Sequence, residues 1–484
     1  MQQLESRISG GFWERWQAVN ARSAIFHQWE QLEASGCIDN FRILAEGKDV
    51  FRSGWFFADS DAYKWLEAAS LILPANPDTR LKALVEDFID LLRRAQAPDG
   101  YLFTYNQIHF PGVSWVNLQI EHELYCHGHL IEAGVSRYQA GGGDDLLAIA
   151  RKAADRIVAD FKGKGALFTP GHEEIEIALL SLYEVSGTRE YLELAEQFLE
   201  MRGRQPLIGL SLLKQSRGNA QRMKAVQAKE AAYRQGHPGQ APKPLPPGNF
   251  AKKPANARLR WVLNAFSGKM LQQHQPLKKQ IVPVGHAVRF TYLKTAAAMH
   301  ERLSGTQNYL PSLEAAWRYL TTKRTYLTGG IGSLPEIEGF GRDYELNPEF
   351  AYAETCAALG SLFWNREMAR LTGSPAYNDL FEWQLYNAAL VGMGLDGRTY
   401  LYNNPLTSRG DIQRREWYSV PCCPSNLSRT CAVLQNDILV VSEDAVCVQQ
   451  TISSAHQLLV GGREVTLELD SRLPWGGQVA LRLG

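Results

Sequence analysis

One junction recurs along the chain and limits what it can fold into. A helical run ends on glycine, a capping Thr, Ser or Asp follows, and an aromatic or leucine pair opens the next helical run. It reads YQAGGGDDLLAIA (138–150), YEVSGTREYLELA (183–195), HERLSGTQNYLPSL (300–313) and ARLTGSPAYNDL (369–380). Glycine takes the left-handed turn that closes a helix, and the short polar residue caps the next one, so each junction is a helical hairpin. From Gly11 to about Asp437 apolar residues fall at i, i+3, i+4 and i+7 over 60–73, 78–97, 119–140, 143–162, 172–186, 188–202, 282–303, 307–322, 350–372 and 375–392, which predicts about a dozen helices.

Repeated hairpins either stack into an open solenoid or close into a ring. The recurring glycines are spaced 44 residues (143 to 187), 118 (187 to 305) and 68 (305 to 373), which fits no fixed repeat. A closed six-hairpin toroid, an (α/α)6 barrel spanning 1–437, fits better, and its loops would gather at one end over a funnel suited to a small polar ligand. After about residue 438 the period changes to two, in AVCVQQTI (445–452), EVTLELDSRL (464–473) and QVALRLG (478–484). This predicts a β-sandwich-type domain over 438–484, with too few strands to close and therefore truncated. Within the barrel, 204–260 is rich in proline and glycine and carries twelve Lys/Arg against the single acid Glu230. It reads as a solvated surface insertion with a helix at 216–235, or as a lid or interaction arm.

The 51 Lys+Arg balance 51 Asp+Glu, so net charge gives no overall drive toward nucleic acid or a membrane surface, while leaving room for a local patch. No run of about 18 apolar residues occurs, and MQQLESRISGGFWERW has no apolar signal core, so a cytoplasmic location is expected. Seven scattered cysteines suit reduced thiols better than a disulfide framework.

The densest chemistry is Glu354-Thr355-Cys356 with Pro421-Cys422-Cys423-Pro424. Three thiols and a carboxylate are the donor set of a four-coordinate zinc site, and the flanking prolines are expected to hold the CC pair off a regular helix. The competing reading makes Cys356 a buried small hydrophobe and CC a packing accident. Histidines open apolar helices in EHELYCHGH (121–129, with His122, His127 and His129), PGHEE (170–174, with His172) and VGHAVR (284–289, with His286), and such helix starts can converge on one mouth. The loop GGIGSLPEIEGFGRDYE (329–345) lacks phosphate-loop spacing but offers Glu336, Glu338, Asp343 and Glu345 as acid/base candidates.

These motifs together resemble glycoside hydrolase family 127, the β-L-arabinofuranosidases. The likeness runs through GGFWERW (10–16), WFFADSDAYKWLEAA (55–69), DGYLFTY (99–105), HELYCHGHLIEAG (122–134), PGHEEIEIAL (170–179), VGHAVR (284–289), LTGGIGS (327–333), YAETCAAL (352–359), YLYNNPL (400–406) and CCPSN (422–426). The resemblance implies an (α/α)6 barrel followed by β-sandwich domains, zinc held by Glu354, Cys356, Cys422 and Cys423, Cys422 as nucleophile and Glu338 as general acid/base. It implies that His122, His172, His286 and Tyr402 contact the sugar of a small glycoside or oligosaccharide substrate. Ile337 stands where the family has glycine, and Gly339 follows the glutamate, which is expected to alter that loop.

Two other readings stand beside a zinc-dependent retaining glycosidase: a carbohydrate-binding or structural protein with a closed Zn(Cys)3Glu staple, and a helical scaffold using the basic arm. A homodimer is compatible with each of them.

Overall fold

The computed structural model describes residues 2–238, 243–248, 256–410, 412–442 and 445–484. Six helices form a ring: Asp59–Ile72, Glu123–Gln139, Glu174–Ser186, Ala287–Ser304, Thr355–Thr372 and Cys422–Val433. Each packs on the next, and the last packs back on the first. The helices Ile25–Ser35, Thr79–Ala95, Asp145–Phe161, Arg189–Met201, Leu310–Lys323 and Pro375–Gln384 complete the pairs around it. The two layers differ in the way a ring requires. The helix Ala287–Ser304 is buried on all sides from Ala287 to Glu301, whereas Thr79–Ala95 buries a stripe that includes Leu81, Val85, Phe88 and Leu92. A helix apolar on one stripe belongs at a surface, and one buried all round belongs inside. This is the expected (α/α)6 barrel.

The glycine junctions close as the sequence predicts. Gly187, Gly305 and Gly373 have φ of 68°, 71° and 69°, and each donates its N–H to the carbonyl four residues earlier. Only glycine enters that left-handed region without a steric cost.

The β region holds a surprise at the other end of the chain. Its four-stranded antiparallel sheet runs in the order Gln2–Ile8, Ser454–Val460, Arg463–Ser471, Val479–Leu483, with Ser6 opposite His456. Gln2–Ile8 lies within the 1–437 span expected for the barrel, and Ser454–Val460 lies between the period-two runs 445–452 and 464–473. A separate pair, Leu439–Val441 with Val446–Val448, joins the barrel to this sheet.

Two local expectations are corrected. The CC pair does not stand off a helix: Cys422 and Cys423 begin the helix Cys422–Val433, with Pro424 in its first turn. Proline is tolerated there because first-turn N–H groups have no intrahelical acceptor. In the insertion the helix is longer than 216–235 and spans Ile208–Gly236, followed by Ala257–Phe266, while the proline- and glycine-rich stretches at 239–242 and 249–255 lie outside the described residues. Among the described residues no helix is long and apolar enough to cross a membrane.

Candidate active site and metal centre

Five of the six ring helices start with a residue singled out above. His122 is the N-cap of Glu123–Gln139, His172 lies two residues ahead of Glu174–Ser186, and His286 caps Ala287–Ser304 by accepting from Val288 N at 3.2 Å. Glu354 is the N-cap of Thr355–Thr372, and Cys422 is the first residue of Cys422–Val433. The ring thus brings residues up to 300 positions apart in sequence together at the N-terminal ends of its helices. The His122 and His172 rings lie 5.8 Å apart, and Arg289 Nη2 stands 3.5 Å from His122 Nε2.

Glu354, Cys356, Cys422 and Cys423 come together as the sequence suggests. Sγ of Cys356 and Cys423 are 3.4 Å apart, those of Cys422 and Cys423 3.9 Å, and Glu354 Oε1 is 3.7 Å from Cys422 Sγ and 3.8 Å from Cys423 Sγ. None of these is a disulfide spacing, which is about 2.05 Å. A tetrahedral ion with metal–sulfur bonds of about 2.3 Å sets its ligands about 3.8 Å apart, the edge observed here. Glu354 Oε2 is buried without a hydrogen-bond partner. The donors also crowd one another as acids. Burial, with Cys422 and Glu338 close by, drives the Glu354 carboxyl well above the usual carboxylate range. The Cys422 thiol is pushed up to about 12 by its hydrogen bond with Cys356, whereas burial of Cys356 is outweighed by bonds from Cys422 and Cys423 that bring it down to about 5. Four closely packed acids that cannot ionise side by side are what a divalent cation resolves, so the residues fit a metal site.

Of the three sulfurs, Cys356 and Cys423 are 3% and 1% exposed, whereas Cys422 is only partly buried. Its Sγ lies 3.5 Å from Tyr402 Oη. On the other side of Glu354 stand Glu338 and His286, with the donor atoms of all three within 4.8 Å of one another. Glu338 Oε2 is 2.9 Å from His286 Nε2, and its side chain keeps 39% of its surface exposed. Burial alone would raise the Glu338 carboxyl, but the bond to His286, then Tyr352 and Arg289, hold it below the usual range.

The loop that delivers Glu338 shows why glycine follows it. Glu338 has φ of 52°, its carbonyl accepts from Ala287 N at 3.0 Å, and Phe340 N donates to Gly285 O at 2.9 Å. The two strands lie so close that a Cβ on Gly339 would overlap the Gly285 carbonyl. Ile337 is fully buried.

The other loop acids are engaged elsewhere. Asp343 pairs with Arg324 and Lys323, Glu345 with Arg260, and Glu336 is buried 3.8 Å from Arg260. His127 bonds to the Glu123 carbonyl within the core, and His129 faces Glu174 at 3.0 Å deep in the ring. A cavity of 1220 Å³ bordered by Glu67, Glu132, Arg302, Arg366 and Arg429 is lined by none of the expected site residues, which gather at the helix N-termini. Sequence reading passed over Tyr352 and Arg289, although both sit in motifs it quoted, two residues before Glu354 and three after His286.

Comparison with known proteins shows the family. Residues 5–436 match the family model described as β-L-arabinofuranosidase, GH127 catalytic domain. A non-reducing end β-L-arabinofuranosidase of Bifidobacterium longum subsp. longum is 31% identical over 98% of this chain and 71% of its own length. The crystal structure of a GH127 β-L-arabinofuranosidase from Geobacillus stearothermophilus T6 is 35% identical and superposes with a TM-score of 0.85, covering 99% of this chain and 72% of that one. A solved GH127 β-arabinofuranosidase at 29% identity gives a TM-score of 0.82 over 100% of this chain and 69% of its own. The chain belongs to the GH127 β-L-arabinofuranosidase family and is a glycosidase.

Proposed function

We propose that this glycosidase releases terminal L-arabinofuranose from β-linked glycans with retention of configuration, using Cys422 as nucleophile and Glu338 as general acid/base. The observation that carries the reading is the position of Cys422: the one partly exposed sulfur of the cluster, beside Tyr402 Oη and one carboxylate away from Glu338. The substrate follows from the relatives named above.

The ligands Glu354, Cys356, Cys422 and Cys423 would hold zinc, which suits a thiolate-rich tetrahedral site. Bound zinc supplies one thing to the reaction: it keeps the coordinating thiols ionised at neutral pH. Cys422 Sγ then attacks the anomeric carbon while Glu338, in the fraction of enzyme that carries its proton, gives that proton to the departing glycosidic oxygen. In the second half Glu338 takes a proton from a water, whose oxygen displaces sulfur from the same carbon and frees Cys422. Two inversions retain configuration, as in the two-carboxylate scheme, with a thiolate in one role. His286 orients Glu338, while His122, His172 and Tyr402 bond the sugar hydroxyls and so discriminate among sugars. Reduced thiols at this centre suit a reducing, cytoplasmic compartment.

Cys422→Ala is expected to abolish hydrolysis of an aryl β-L-arabinofuranoside, and intact-protein mass of the wild type with a slow substrate should show one sugar attached at Cys422. Turnover unchanged in that variant would leave a metal staple without a catalytic role.

A further inference from the structure

The described parts of the basic segment 204–260 bond to the loops around the candidate active site. In the helix Ile208–Gly236, Gln215 accepts from Gln119 N at 2.9 Å, and Arg222 bonds Glu121, the residue before His122, at 2.8 Å while lying 3.7 Å over the Phe110 ring. His237 pairs with Asp49 at 3.0 Å, and Pro247 O accepts from Ser419 N at 3.0 Å, three residues before Cys422. Arg260 reaches Glu345 at 2.7 Å on the loop that carries Glu338. Three loops that present His122, Cys422 and Glu338 are therefore each bonded to the same segment.

The described part of this segment is strongly positive in a chain with no net charge. Arg222, Lys243 and Arg260 are spent on Glu121, Asp39 and Glu345, and Arg234 on Glu230. Lys214, Arg217 and Lys224 are exposed and have no acidic partner among the described residues, and the same holds for Arg204 and Arg258 at the two ends. Spacings of three and seven residues put Lys214, Arg217 and Lys224 along one side of the helix, turned away from the Gln215, Arg222 and Lys229 face that grips the barrel. Unpaired cations on the outer edge of a mouth steer and hold an anion that must lie across that edge when the sugar enters.

We propose that this rim docks the carboxylates of a uronate-bearing glycan whose terminal arabinofuranose enters the mouth. The idea rests on the function proposed above and adds the charge of what lies beyond the cleaved bond. Carboxylates rather than a neutral arabinan suit this face because its free charged groups are all cations.

The test compares an arabinofuranosylated galacturonate oligosaccharide with its carboxyl-reduced counterpart. At low salt kcat/KM should favour the acidic substrate about tenfold, mainly through KM. That ratio should collapse toward one in about 1 M sodium chloride, where the Debye length is about 3 Å, and in Lys214→Gln/Arg217→Gln/Lys224→Gln. A ratio near one in the wild type, or one that survives in the triple variant, overturns the proposal. Retardation of the intact protein in a gel containing polygalacturonate, relative to a gel without polymer, needs no turnover. Retardation in the wild type and its loss in the triple variant support the rim, and equal migration of the two refutes it. A charge-free aryl β-L-arabinofuranoside reports on the proposed reaction alone, so inactivity there would strike that reading and not the docking surface.

Discussion

The His286 turn holds Glu338 twice. The His286 ring nitrogen Nε2 meets the carboxylate at 2.9 Å, and the neighbours of His286 bond the Glu338 loop through the backbone, Ala287 N to Glu338 O at 3.0 Å and Gly285 O from Phe340 N at 2.9 Å. The acid/base candidate is thus fixed by a residue from a ring helix, although its own loop carries it at a strained φ of 52°. His286→Ala removes the first contact and keeps the second. The expected result is a fall in kcat of about 10- to 100-fold on an aryl β-L-arabinofuranoside, within the usual range for a mispositioned proton-transfer group, with metal content unchanged. Loss of the metal together with activity would assign His286 to the metal centre instead.

Gly339→Ala attacks the second contact. The new Cβ overlaps the Gly285 carbonyl, so the Glu338 loop must move away from the His286 turn. Displacement of about 1 Å at a catalytic group costs roughly 100-fold in rate, and kcat should drop on that scale while circular dichroism stays that of the wild type. Wild-type turnover in this variant would show that the loop does not need its close approach.

The metal centre gives a third prediction. Each of Cys356→Ala and Cys423→Ala removes a buried donor, leaving three ligands on the ion. Elemental analysis should find about one zinc per chain in the wild type and little in either variant, and a chelator should lower the melting temperature of the wild type far more than that of the variants. Equal metal content in all three proteins would mean that the sulfurs are not its ligands.

How much of this was readable from sequence depends on whether the signal is local. Helices such as Glu174–Ser186 and Thr355–Thr372 follow from periodicity, and their glycine closures from φ, because both are set within a turn or two. The cluster of Glu354 with Cys356, Cys422 and Cys423 was legible as residue types that rarely meet by chance. The first strand was not: Ser6 pairs with His456, and nothing within the first ten residues names a partner 450 positions away. The course of the basic segment was equally hidden, since its grip on Glu121 and Ser419 follows from ring closure and not from its own composition. The helical start at Cys422 was misjudged for a different reason, because proline breaks helices in the middle and not in the first turn.

The strand pairing carries a pH dependence. His456 is buried in the sheet between Ser6 Oγ at 2.7 Å and Ser454 Oγ at 2.8 Å, and burial lowers its pKa from 6.5 to about 4. The unfolded chain then binds more protons than the folded one between those values, so stability falls as pH drops from about 6.5 toward 4 and levels off below. Hydrogen exchange at residues 4–8 should quicken over this window before the ring helices respond, and His456→Gln should flatten that dependence. An exchange profile insensitive to pH after correction for the intrinsic rate would exclude the histidine as its source.

Arg429 connects the candidate metal centre to the rest of the ring. It lies on the helix that starts at Cys422, two turns further on, with Nη1 2.9 Å from Glu67 and 2.7 Å from Glu132 on two neighbouring ring helices. All three side chains are nearly closed to solvent, so the guanidinium is the cation that allows two carboxylates to stay there. Removing one partner of such a buried network leaves uncompensated charge, and Arg429→Ala should destabilise the fold by about 3–5 kcal/mol. Arg429→Ala with Glu67→Gln and Glu132→Gln removes the stranded charges and should recover part of that loss in denaturant unfolding. If the triple variant regained stability but not zinc affinity, the Arg429 contacts would be shown to set the register of the Cys422–Val433 helix as well as to neutralise its neighbours.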